Sequence, residues 1–231
     1  MAPAYYGWTM FLGNRPYPAA LAWQKRLVGY RRQGLIRDTI LFLSHPEVIT
    51  VGRDVPADSL DCPAEIEICH ITRGGGVTYH GPGQLIVYPI FDLRRRSRDL
   101  HKFIRNLEEG IIVAFAGYGL NCGRQPGYSG VWVTDRKIAS IGIAVQQWIS
   151  FHGAAINLTT DLSRFSRIRP CGFPPEVMTS AHKELGLAVT LDEFAGRLTS
   201  AYAAIFDTAF SEVAMDEIAE IVDAEESSQA I

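Results

Sequence analysis

A chain of 231 residues is long enough for one domain with a sizeable core, and 47% hydrophobic against 20% charged residues excludes a disordered chain and a membrane-embedded one. Twenty-two basic and 25 acidic side chains leave a net charge of -3, so no overall positive field exists to hold nucleic acid. The N-terminus lacks a basic start followed by an apolar stretch, and no apolar run approaches the ~20 residues that span a bilayer. A cytoplasmic protein with neither nucleic-acid nor membrane partners is expected. Cys62, Cys69, Cys122 and Cys171 are irregularly spaced, which predicts reduced thiols rather than a disulfide framework. Cys62, Cys69 and His70 lack a CxxC pair or a second cluster at ligand spacing, so no metal is expected.

In chain order, Pro18 opens a helix whose Ala20, Trp23, Leu27 and Tyr30 share one face until Gly34 stops it. Thr39 to Leu43, Val48 to Gly52 and Glu65 to Ile71 read as strands, the first two separated by the turn pair His45-Pro46. A glycine-rich segment, Arg73 to Gln84, leads into a strand from Leu85 to Phe91, where Pro89 predicts a sheet edge or an irregular end. Asp99 caps a helix carrying Leu100, Phe103, Leu107, Ile111, Ala114 and Tyr118 and ending in Gly117 and Gly119. Val131 to Val133, Lys137 to Val145 and Ala154 to Leu158 are further strands, and Thr190 with Glu193 forms a capping box before a helix through Phe210. Interspersed helices and strands without strict alternation predict an α/β (α+β type) single domain, with a mixed sheet flanked by helices. Residues 1–215 would form that domain, and the acidic stretch 216–231 would fray.

The segment Arg73-Gly74-Gly75-Gly76-Val77-Thr78-Tyr79-His80-Gly81-Pro82-Gly83-Gln84 has five glycines that let a ligand approach the main chain. It fits neither the phosphate-loop nor the dinucleotide pattern, and a long glycine-rich hairpin is the plain alternative. The Arg, Tyr and His within it favour a pocket wall. Cys171 sits in a rigid turn between Pro170 and Gly172, where a thiol is either a small buried hydrophobe or a presented nucleophile. Lys137 opens an apolar strand, and the ordinary expectation there is a solvated strand end. His152, ahead of Gly153 and Ala154, is either structural or functional.

In combination and in order, LGNRPYPAALAWQ, SHPEVITVGR, RGGGVTYHGPGQLIVYPI, GVWVTDRKIASIGIAV, FHGAAINL and RPCG resemble the lipoyl(octanoyl) transferase family, also called lipoate-protein ligase B, from about Leu12 to Gly172. The resemblance implies the fold of biotin and lipoate protein ligases, and transfer of octanoyl (or lipoyl) from acyl carrier protein to a lysine of a lipoyl domain, the first step of lipoate biosynthesis. The acceptors implied are the lipoyl domains of 2-oxoacid dehydrogenase complexes and the glycine cleavage H protein. A monomer acting without cofactor or nucleotide is expected. By the same resemblance Cys171 is the nucleophile and Lys137 its partner. Arg73, Gly74, Gly75, Gly76, Val77, Thr78, Tyr79, His80, Ser140, Ile141, Gly142, His152, Gly153 and Ala154 fall in its substrate-pocket segments. The sequence departs from the family pattern at Ser44, Gly76, Gln146 and Gln147.

The chemistry implied is consistent. A thioester donor reacts downhill to an amide, and a cysteine carries the acyl group between the two steps. An unperturbed lysine is protonated at neutral pH, so either burial frees Lys137 to take a proton, the reading we favour, or it stays an ammonium that stabilises a thiolate. Main-chain amides near Gly76-Val77 and beside Cys171 are candidate oxyanion donors, with His80 as an orienting group. Ile141, Ile143 and Ala155 are candidates for an acyl tunnel or for plain sheet core. Carrier and lipoyl domains are typically acidic, so Arg94-Arg95-Arg96-Ser97-Arg98 or Arg164, Arg167 and Arg169 would form a basic docking surface. Two rival readings remain open: an ATP-dependent lipoate or biotin ligase of the same fold, in which Cys171 is dispensable, and a non-catalytic module that binds carrier domains.

Overall fold

Every residue from Asp38 to Leu43, from Gln84 to Ile90 and from Ile149 to Asn157 is buried, the mark of strands covered on both faces. These strands form the middle of the larger of two sheets. The computed structural model describes residues 2–53, 55, 65–168, 170 and 172–229, with 167 and 223–229 as main chain alone. The strands in chain order are β1 (Tyr5–Asn14), β2 (Asp38–Ser44), β3 (Val48–Val51), β4 (Glu67–His70), β5 (Val77–His80), β6 (Gln84–Ile90), β7 (Gly123–Gln125), β8 (Tyr128–Val133), β9 (Arg136–Gln146), β10 (Ile149–Asn157) and β11 (Thr208–Glu212). The helices are α1 (Tyr17–Gln33), α2 (Leu100–Ala116), α3 (Ala181–Leu185), α4 (Leu191–Ile205) and α5 (Met215–Gln229).

The large sheet runs β11-β1-β2-β6-β10-β9-β8-β7; β1 pairs in parallel with both β11 and β2, and the other neighbours are antiparallel. Side chains alternate across it. Ile40 and Phe42 of β2 meet Phe103, Leu107, Phe194 and Leu198 of α2 and α4, while Leu41 and Leu43 meet Leu27 and Val28 of α1 together with Ile218 and Val222 of α5. The small sheet runs β4-β3-β5 and packs Ile49, Val51 and Tyr79 against Phe165, Ile168 and Met178. This is the mixed α/β single domain expected, except that the glycine-rich segment contributes β5 to a separate sheet.

Three expectations need correction. β6 is an interior strand and not an edge, while its end at Pro89 is irregular as the alternative had it: pairing with β10 stops at Val87 and the proline ring faces Gly153, whose missing side chain makes room. The Ser150 hydroxyl replaces the lost pairing, donating to the Pro89 carbonyl at 2.7 Å and accepting from the Phe91 amide at 3.0 Å. The capping box at Thr190 is present, but α4 ends at Ile205 and the chain turns into β11. Phe206 and Phe210 mimic helical spacing because both pack on Phe91, at 5.2 and 6.3 Å between ring centres. The acidic stretch expected to fray forms α5, held by the fully buried Ile218 and by Val222. β1 and β7 are additional to the expected strands.

Candidate active site

Where β9 and β10 pair across from the glycine-rich segment, small residues on facing positions leave a partly open cavity. From the glycine-rich segment it is lined by Arg73, Gly74, Gly75, Thr78 and His80. β9 contributes Ser140, Ile141 and Gly142, and β10 contributes His152, Gly153, Ala154 and Ala155. The sequence expectation therefore converges on one place for most of its residues. Gly76, Val77 and Tyr79 are not in the lining: the Gly76 carbonyl accepts from the Gly52 amide at 3.3 Å, Val77 bridges to Pro170, and the Tyr79 hydroxyl donates to Glu47 at 2.9 Å. Ile143 is buried in the sheet core and is also absent from the lining. Tyr17 and Tyr88 line the cavity without having been singled out, although Tyr17 lies in the first of the motif segments.

Gly142 packs tightly on the glycine-rich segment: an added Cβ would stand 3.0 Å from the Arg73 side chain and 3.2 Å from the Gly74 carbonyl, so one of them would have to give way. Arg73, 7% exposed, donates through Nη2 to the Thr50 carbonyl at 3.0 Å and hydroxyl at 2.9 Å, and through Nη1 to the Gly74 carbonyl at 3.1 Å. Its guanidinium thus braces the glycine turn that carries it.

His80 and His152 stand beside this arginine, and a third histidine, His45, packs on His80 at 5.9 Å between ring centres. The His45 Nδ1–H donates to the Arg15 carbonyl at 2.6 Å, so its Nε2 accepts from the Tyr88 hydroxyl at 2.8 Å. Burial lowers its pKa. Burial is also the main reason that His80 is lowered to about 3, aided by neighbouring His45 and Arg73, and that His152 is lowered to about 4, aided by Arg73. All three rings are neutral at physiological pH. His152 adopts a left-handed backbone, φ +57°, with its amide held by the Gln24 side chain at 2.7 Å. Its Nδ1 meets the Tyr17 hydroxyl at 3.3 Å, and its buried Nε2 has no partner among the described residues.

Lys137 contradicts the expectation of a solvated strand end, being only 4% exposed. Its Nζ lies 5.3 Å from the centre of the Trp132 ring and 5.9 Å from that of Phe173, cation–π geometry inside an aromatic box closed by Tyr128. Gly130, at φ +127°, leaves the room the lysine stem occupies, since a Cβ there would stand 2.6 Å from Lys137 Cε. The Gly130 amide is anchored at 3.0 Å on Glu108, a carboxylate of α2 that also holds Arg105 and Arg124. Cys171 lies outside the described residues, and so do Cys62 and Arg169. The described residues flanking Cys171 are tied to the site: Pro170 bridges to Val77, Met178 bridges to Lys137, and the Thr179 amide donates to the Lys137 carbonyl at 3.0 Å.

Three arginines of the expected basic surfaces are engaged in ion pairs within the fold. Arg96 is enclosed by Asp38 at 2.7 Å and by the Phe91 ring, and Arg94 pairs with Asp92 at 2.8 Å. Arg164 pairs with Glu47 and Asp161, and the Arg167 side chain is outside the described set. Cys69 and Cys122 are free thiols raised by burial to about 11 and about 12, hence inert at neutral pH. Among the described residues no group of His, Cys, Asp and Glu is arranged to hold a metal ion, and no helix is long and apolar enough to cross a membrane.

The mixed sheet with its flanking helices has the fold of the lipoate and biotin protein ligases. The fold superposes on the crystal structure of lipoate-protein ligase A bound with ATP, with a TM-score of 0.76 at 18% identity, covering 95% of this chain and 93% of that one. Biotin protein ligase from Aquifex aeolicus gives 0.51 at 10% identity, over 87% of this chain and 69% of that one. The profile of the lipoyl protein ligase A/B catalytic domain matches residues 16–203. An octanoyltransferase of Solibacter usitatus is 45% identical over 202 residues, 85% of this chain and 91% of that protein. The chain belongs to the lipoyl protein ligase A/B catalytic domain family, among its octanoyltransferases, and is an acyltransferase of lipoate biosynthesis.

Proposed function

We propose that this chain moves an octanoyl group from acyl carrier protein to a lysine of a lipoyl domain through a thioester on Cys171, with Lys137 handling the protons. In the first half-reaction the Cys171 thiolate attacks the carrier thioester, a new thioester forms on Cys171, and the carrier thiol leaves with the proton the nucleophile gave up. In the second, the acceptor lysine's amine attacks that carbonyl, the amide forms, Cys171 departs as thiolate, and the amine's proton passes to Lys137. The acceptors are the lipoyl domains of 2-oxoacid dehydrogenase complexes and the glycine cleavage H protein. The cavity between the glycine-rich segment and β9–β10 takes the acyl chain, and no nucleotide is consumed.

The observation that carries this reading is Lys137 itself, buried on the same strand as the cavity wall and facing the ring of Phe173, two residues beyond Cys171 in sequence. A lysine so enclosed stays where a nucleophile's proton can be exchanged without bulk water. The test is intact-protein mass spectrometry after incubation with octanoyl acyl carrier protein and no ATP, followed by addition of a lipoyl domain. One octanoyl adduct on the wild type, absent from Cys171→Ala and chased onto the acceptor, is expected. Transfer only after free octanoate and ATP are supplied would assign the chain to the ligases instead, and silence under both conditions would leave a binding module.

A further inference from the structure

Four buried polar side chains link the lysine-bearing strand to the arginine of the glycine-rich segment, and their hydrogen bonds run in one direction. The Asn157 amide nitrogen donates to the Thr179 carbonyl at 3.0 Å, so its Oδ1 must be the acceptor for the Gln84 amide nitrogen at 2.9 Å. Gln84 Nε2 also approaches the Tyr79 carbonyl at 3.4 Å, which again turns its oxygen the other way. That oxygen lies 2.7 Å from His80 Nδ1, and two acceptors do not share such a contact without a proton on the ring nitrogen. His80 Nε2 is then bare and faces the Thr50 hydroxyl at 3.3 Å. Thr50 gives its hydrogen there and offers its lone pairs to Arg73 at 2.9 Å.

We propose that Gln84 and Asn157 are positioning residues: their amides fix His80 as the neutral Nδ1–H tautomer, so that Nε2 accepts from Thr50 and Thr50 in turn braces Arg73 in the cavity wall. Thr179, where the relay begins, is bonded through its amide to Lys137, so the same chain joins the reacting lysine to the far wall of the cavity. His80 has no hydrogen to give an oxyanion, and its part in the reaction is to hold Arg73 and Gly74 in place. Burial, together with Arg73, His45 and His152 around the ring, disfavours a second proton against the Gln84 hydrogen bond that would favour it, and Tyr17 stacks on the ring at 6.2 Å. This role in acyl transfer rests on the function proposed above, whereas the direction of the relay does not.

The test is long-range proton–nitrogen NMR of the full chain labelled with ¹⁵N-histidine, with His80→Asn identifying the resonance. A protonated Nδ1 and bare Nε2 that do not titrate between pH 8 and 5 are expected; a protonated Nε2, or titration near pH 6.5, overturns the relay. Gln84→Glu keeps the acceptor but adds a charge that favours the imidazolium. It should introduce an acidic limb in kcat/KM, a roughly tenfold loss between pH 8 and 6 that the wild type lacks. Thr50→Val, nearly isosteric, should raise KM for the acyl donor about tenfold with kcat kept, and Thr50→Ser should restore it. Unchanged kinetics in both Gln84→Glu and Thr50→Val would leave the relay purely structural and overturn the positioning role. If no octanoyl adduct forms on the wild type, the acyl-transfer reading fails while the NMR result stands on its own.

Discussion

Enclosing a lysine among Trp132, Phe173 and the Gly130 turn is costly for a side chain that ordinarily keeps its head in water. Methionine has similar length and suits the aromatic box, so Lys137→Met should fold with a Tm at or above that of the wild type while kcat for octanoyl transfer falls by about 10²–10⁴. The pH–rate profile should also lose its lysine-dependent limb. An unchanged limb would show that another group moves the proton. At this scale the sequence was informative about identity and silent about setting. Lys137 is recognisable by motif, but its burial comes from Phe173, 36 positions away, and from the register of β8 against β9. The same holds for His80, whose tautomer depends on Asn157 and Thr179, residues no local pattern ties to it.

Among the elements, β10 shows how side-chain absence builds a site. Gly153 sits where an added Cβ would meet the Val87 carbonyl and the Pro89 ring, both fixed in an interior strand. Gly153→Ala should therefore destabilise by on the order of 3 kcal/mol, read as a lower denaturation midpoint at unchanged m, and should weaken octanoyl transfer because Ala154 and His152 on either side line the cavity. Full stability in this variant would mean that β6 and β10 separate more easily than their pairing implies. Helices with a cap or stop signal were legible: Gly34 ends α1 with φ +84°, and the Asp99 carboxylate accepts from the Lys102 amide at 2.9 Å. β1, β11 and α5 were not, because β11 pairs only with β1, from the opposite end of the chain, and the apolar face of α5 has meaning only once β1 and β2 lie beneath it.

Across the whole molecule, the buried histidines make folding sensitive to acid. The unfolded chain takes up protons as pH falls below about 6.5, whereas native His152 resists until about 4 and His80 until about 3. The unfolded state binds more protons in that window, so stability is full above pH 6.5 and declines toward pH 4, with His152 contributing up to about 3 kcal/mol. Tm measured from pH 7.5 to 4 should drop steeply, and His152→Gln should flatten part of that slope; a slope unaffected by the substitution would show that His152 remains solvated in the native state.

By itself the sequence determined the family and the class of reaction, since motifs in fixed order survive as text, and it determined the strongly capped helices and the apolar central strands, whose signals are local. Tertiary structure alone decided that Lys137 is enclosed, that Arg96, Arg94 and Arg164 pair with Asp38, Asp92 and Glu47, and that Arg73, His80 and His152 meet at one cavity. Those outcomes depend on burial and on contacts between residues far apart in the chain. Solvation and long-range pairing are properties of the packed molecule, and they acquire values only when the two sheets and their helices close around them.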